Sequence, residues 1–141
     1  MMRGSVNDHL EPWIEISIQD RHRESNLVQA ILDTGFNGFL TSQTAWLLDM
    51  DVECSGQARV TLADGNEIVS DLFIAMVLWD GQWITIDVEA ADTDPLIGMA
   101  LLRGYDVRLR VEPGAKFSSP MNETDCSRIA KFVANGLVFV A

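Results

Sequence analysis

A chain of 141 residues suits one compact domain, because two independent cores would each fall below the usual domain size. Apolar residues make up 48% of it and charged residues 22%, a globular composition rather than that of a disordered segment. Ten Lys+Arg against twenty-one Asp+Glu leave a formal net charge of −11, which argues against nucleic acid and anionic membrane surfaces as partners, since both require clustered cations.

The opening stretch, MMRGSVNDHL, has one early Arg and no apolar segment behind it. No apolar run approaches the ~18 residues that a membrane span requires, so the expected location is cytoplasmic. Ile14, Ile16 and Ile18 then alternate with polar residues, the period of a half-buried strand. Asp20 to Asn26 reads as a turn. The apolar run Leu27 to Leu32, broken only by Gln29, predicts a buried strand that ends at Asp33-Thr34-Gly35. Beyond Phe36 to Leu40, Thr41 or Ser42 is placed to cap a short helix over Gln43 to Leu48, with Ala45, Trp46 and Leu48 turned inward.

Two hairpins follow. Ala58, Val60 and Leu62 alternate up to Asp64-Gly65, a two-residue turn pair suited to positive φ, and the chain returns from Ile68. Asp80-Gly81 joins the run Leu72 to Trp79 to the run Trp83 to Val88 in the same way. Strands at this spacing predict an all-β domain. Pro95-Leu96-Ile97-Gly98 leads from a strand end into a short helix stopped at Gly104, and Val107, Leu109 and Val111 alternate as one more strand before Pro113-Gly114. Composition changes near Ser118, so residues 1–117 form the domain and 118–141 an appendage. Within the appendage Asn135-Gly136 signals a hairpin, with a helix over Ser127 to Ala134 as the competing form.

The acidic excess lies entirely within residues 1–117: no basic residue stands between Arg59 and Arg103, while Asp64, Glu67, Asp71, Asp80, Asp87, Glu89, Asp92 and Asp94 do. Such a run is either a solvated face or the wall of a cleft that favours protonated carboxyls. Cys54 and Cys126 match no metal or redox spacing and read as free thiols, with a pairing between the two as the alternative, and His9 and His22 sit in polar segments, so no metal and no cofactor is expected.

One segment carries chemistry. An apolar strand delivers the carboxylate of Asp33, the hydroxyl of Thr34 and Gly35 into a loop followed by Phe36 and Gly38. Gly35, without Cβ, lets another backbone approach the carboxylate. Further on, Leu96-Ile97-Gly98 precedes Leu101-Leu102.

With these markers, residues 11 to 117 resemble the retropepsin-like aspartic proteases, single-domain homodimeric relatives of pepsin, here of the bacterial type. The resemblance implies an acid-protease β-barrel with one or two short helices. It makes Asp33 the catalytic carboxylate, Thr34 the hydroxyl that braces the pair across the dimer, and Gly35 the close-approach glycine. It places a flap at the Asp64-Gly65 hairpin and closes a loop on the Asp-Thr-Gly turn through Gly98. Phe36, Leu62, Asp64, Gly65, Ile97 and Gly98 become the expected substrate-binding residues, with Ile68 and Met99 as further lining. Two departures from the retroviral pattern stand out: Met99-Ala100 follows the glycine where an Arg and an Asn or Asp are usual, and Phe36 replaces a small residue.

Hydrolysing a peptide bond without metal or covalent intermediate needs one carboxylate to activate water and one carboxylic acid to protonate the carbonyl oxygen. The chain has one Asp-Thr-Gly, so the dyad implied is two copies of Asp33 across a two-fold axis. The expectation is therefore an aspartic endopeptidase that acts as a homodimer on peptide or protein segments. The alternative is a catalytically silent dimerisation or peptide-binding module of the same fold.

Overall fold

The structure is a computed structural model that describes residues 2–61, 64–113 and 137–140. In chain order the elements are β1 (Met2–Val6), β2 (Pro12–Gln19), β3 (Ser25–Leu32), β4 (Leu40–Ser42), α1 (Thr44–Asp49), β5 (Glu53–Thr61), β6 (Glu67–Trp79), β7 (Gln82–Ala90), β8 (Leu96–Ile97), β9 (Asp106–Leu109) and β10 (Leu137–Val140). The all-β expectation holds: the strands join into one mixed sheet and α1 is short.

The alternation that predicted β2 buries Ile14, Ile16 and Ile18, each at most 2% exposed. β3 pairs antiparallel with β2 from Trp13↔Ile31 to Gln19↔Ser25 and follows the same pleat. It was expected to be buried throughout, but only Val28, Ala30 and Leu32 point into the core, and Leu27 is 67% exposed. The reason is the pleat: successive side chains of a strand point to opposite faces, and the outer face of β3 is open at Leu27 and Gln29.

Leu32 brings the chain to Asp33, and here the topology changes. β8 runs parallel to β3, with Ile31 beside Leu96 and Leu32 beside Ile97, and antiparallel to β4 through Leu40↔Ile97. The two residues of β8 thus fill the gap between β3 and β4. β4 continues to β7, β7 to β6, and β6 returns to β2 through Ser17↔Leu78, Ile18↔Val77 and Gln19↔Met76. The ladder from β2 through β3, β8, β4, β7 and β6 back to β2 is a closed circuit. Leu40, Leu47, Val77, Val88 and Ile97, all fully buried, belong to one hydrophobic core cluster.

Several expectations shift. Thr41 and Ser42 do not cap the helix; both are buried in β4, and Gln43 is the N-cap, with no side-chain hydrogen bond. The inward helix residues are Leu47 and, past its end, Met50, while Ala45 and Leu48 face outward and Trp46 packs at the core's edge. β4 draws both residues into the sheet, where the Thr41 hydroxyl accepts from Leu96 N, and the helix starts one residue later. Residues after Gly98 form successive turns rather than a helix, ending at Gly104 with φ +89°.

The Asp80-Gly81 hairpin is as expected, with Trp79 opposite Gln82 and both turn residues at positive φ, +47° and +80°. In the other hairpin the last described pair is Thr61↔Glu67, and Asp64, Gly65 and Asn66 all stand outside the strands, more than the two turn residues expected. Asp64 builds its own turn there: its carboxylate accepts from Asn66 N at 2.9 Å and from Asn66 Nδ2 at 2.7 Å. These bonds hold the exposed Asp64 carboxyl below its ordinary value.

The first strand, β1, was not anticipated; it pairs with β2 and with β10, which in turn pairs with β9. The end of the expected appendage is thus part of the sheet. Its other predicted arm, residues 130–136, and Cys126 lie outside the described residues. Cys54 is free and exposed. No helix among the described residues is long and apolar enough to cross a membrane.

Candidate active site

Asp33 leaves the end of β3 half-buried, while Thr34 and Gly35 are exposed. Its main chain is held from beneath, because Asp33 N donates to the Ile97 carbonyl at 2.9 Å and Ile31 N to the Pro95 carbonyl at 2.8 Å. Its side chain is held from the front: Gly35 N donates to Asp33 Oδ1 at 2.8 Å. Phe36 N then donates to the Asp33 carbonyl at 3.3 Å, closing a tight turn around the carboxylate. A carboxylate with one oxygen tied to a backbone amide keeps its direction and leaves the other oxygen for a reacting partner.

The second sequence marker, Leu96-Ile97-Gly98, locks this loop. Gly98 N donates to the Phe39 carbonyl at 3.0 Å, Met99 N to the Phe36 carbonyl at 2.8 Å and Ala100 N to the Gly38 carbonyl at 3.1 Å. Three successive amides therefore clamp residues 36–39. Contact is close enough that only glycine fits: a Cβ on Gly98 would strike the Gly38 carbonyl and the Phe36 ring, and would lie 2.8 Å from the Phe36 carbonyl oxygen.

The same packing accounts for Phe36. Its ring fills the space that side chains at Gly38 and Gly98 would need, so two glycines accommodate the large residue. Ile97 is fully buried, and its side chain belongs to the core rather than to an exposed wall. Gly98 is buried too, whereas Met99 is 44% exposed and Ile68, on the β5–β6 hairpin, 45%. Asp64 and Gly65 stand at the tip of that hairpin; Leu62 lies outside the described residues.

Sequence patterns missed one residue at this loop. Glu89 sits in β7 beside Thr41, and a Cβ on Gly38 would lie 2.7 Å from its Oε1 and 2.7 Å from Phe36 Cε2. Burial, and secondarily the neighbouring charge of Asp87, raises its pKa above the ordinary value. Alternation along Ile86, Thr85, Asp87 and Val88 shows that Glu89 faces away from the core, but only the β4–β7 register brings it to Gly38.

A cavity of about 610 Å³ lined by Asp20, Arg21, Arg23, Asp51 and Cys54 involves none of these loop residues. Among the described residues no group of His, Cys, Asp or Glu is arranged to hold a metal ion. No protein-family model matches the chain, and no curated protein matches it.

Proposed function

We propose that the protein is an aspartic endopeptidase of the retropepsin-like kind, whose β-barrel is the closed strand circuit and whose catalytic pair is Asp33 from two copies. One observation carries the reading: Asp33 emerges from a strand end with its carboxylate bonded to Gly35 N, on a loop clamped by the amides that follow Ile97. Such a loop presents one oriented carboxylate on an exposed surface, and Thr34 and Gly35 beside it are open to a second copy.

In this reading one Asp33 carboxylate removes a proton from water as the water oxygen attacks the scissile carbonyl. The partner Asp33, protonated, gives its proton to the carbonyl oxygen. Collapse of the resulting diol breaks the C–N bond: one diol hydroxyl returns its proton to the partner Asp33 as the carbonyl re-forms, and the proton taken from water passes from the first Asp33 to the leaving nitrogen. Two carboxyls a few ångströms apart share one proton, so neither copy alone supplies both roles. The β5–β6 hairpin serves as the flap over an extended substrate.

The test is cleavage of an unfolded protein assayed from roughly pH 4 to 7, the mildly acidic side on which acid–base catalysis by carboxyls operates. Wild-type protein is expected to cleave best at mildly acidic pH and Asp33→Asn to lose cleavage entirely while remaining folded. Undiminished cleavage by that variant overturns the proposal.

A further inference from the structure

Beside the catalytic loop stands a carboxylate that the reaction does not use. Thr41, Glu89 and Leu72 are register partners across β4, β7 and β6, which puts their side chains on one face of the sheet. That face is opposite the one on which Leu40 and Val88 enter the core. It is also the face against which the loop after Asp33 lies, because Glu89 Oε1 borders Gly38 and the Phe36 ring edge borders the same glycine. Ring and carboxylate thus share the space that a side chain at position 38 would occupy.

Glu89 is half-buried and makes no hydrogen bond or ion pair with any described residue. Its register neighbours, Thr41 and Leu72, carry no positive charge, and Asp87 two residues along the same face adds a second negative one. A partly desolvated carboxylate without a cation is unfavourable, as the raised pKa records, and a positive group from outside relieves it.

We infer that Glu89 and the Phe36 ring form a subsite for a basic substrate side chain, arginine before lysine, seated next to the Asp33 loop. The inference rests on the endopeptidase reading and names its substrate class. A guanidinium fits this pair better than an ammonium: its plane lies against the aromatic face while its N–H groups take both carboxylate oxygens. The aliphatic stem of either residue covers the ring. The acidic excess of the chain draws such substrates in and repels acidic ones.

The test uses extended peptides in which one position at a time carries arginine or citrulline, its uncharged isostere. Wild-type protein is expected to cleave the arginine peptide about fivefold to tenfold faster in kcat/KM than its citrulline partner at one position, the scale of a half-exposed ion pair. Glu89→Gln brings that ratio near one, and Glu89→Asp keeps part of it. Peptide binding to Asp33→Asn, read by fluorescence anisotropy, shows the same preference, and the double variant with Glu89→Gln loses it. An arginine-to-citrulline ratio equal in wild type and Glu89→Gln overturns the inference while the endopeptidase reading stands. No cleavage, with a binding preference that still depends on Glu89, overturns the endopeptidase and keeps the subsite. Neither cleavage nor preference overturns both.

Discussion

Gly98 is the residue on which the site closes. Its missing Cβ lets the Phe36 and Gly38 carbonyls approach, and backbone atoms cannot swing aside as a flexible side chain would. Gly98→Ala is therefore expected to cost about 3 kcal/mol in urea unfolding, the overpacking range. Gly81→Ala, at φ +80° with open space around it, pays only for its backbone conformation, about 1 kcal/mol. Equal losses would remove the steric account. Glu89 carries a pH signature of its own. Its folded pKa lies above the unfolded value, so the folded state binds that proton more tightly, and the contribution to stability is present at low pH and lost as pH rises through the folded value. At neutral pH the unpaired charge opposes folding. Glu89→Gln is thus expected to melt higher than wild type at pH 7, with the gap closing below about pH 4, where the carboxyl is protonated in both states.

At the scale of elements, β4 and α1 depart furthest from the sequence pattern and give the sharpest mutational contrast. Thr41 Oγ1 accepts from Leu96 N at 2.9 Å and so ties β4 to the start of β8 beneath Asp33. Thr41→Val keeps the shape, removes the acceptor and is expected to cost about 1–3 kcal/mol, the penalty for a buried unpaired amide. Leu47 is fully buried and Leu48 63% exposed, although both stand in one short apolar run. Leu47→Ala should cost about 2–5 kcal/mol and Leu48→Ala within about 0.5 kcal/mol, measured by the same unfolding curves. The Asp80-Gly81 hairpin was legible because a two-residue turn needs only its own dihedrals. The Asp64-Gly65 turn departs from the two-residue pattern because the Asp64 carboxylate accepts from Asn66 and holds that third residue in the turn.

At the scale of the molecule, the proposed enzyme must bring together two copies that each carry a net −11. Like charges oppose that approach, and salt screens them over a Debye length of about 8 Å at physiological ionic strength. Specific activity is therefore expected to fall on dilution and, at a fixed low protein concentration, to rise when salt is added; sedimentation velocity at the same concentrations should show the dimer fraction moving with it. Activity independent of concentration would remove the shared dyad.

The sequence by itself determined the all-β class and the strand that ends at Asp33, because local periodicity and turn residues act over short stretches of chain; that Leu96-Ile97-Gly98 is a second marker of the same site was only what the family resemblance implied. Only the tertiary structure decided what lies between those markers. Strand register set β8 between β3 and β4, clamped Phe36 through Gly98, turned Thr41 from a helix cap into a brace and carried Glu89 to Gly38. Register depends on contacts between residues distant in sequence, and no local pattern encodes which strand a given face will meet.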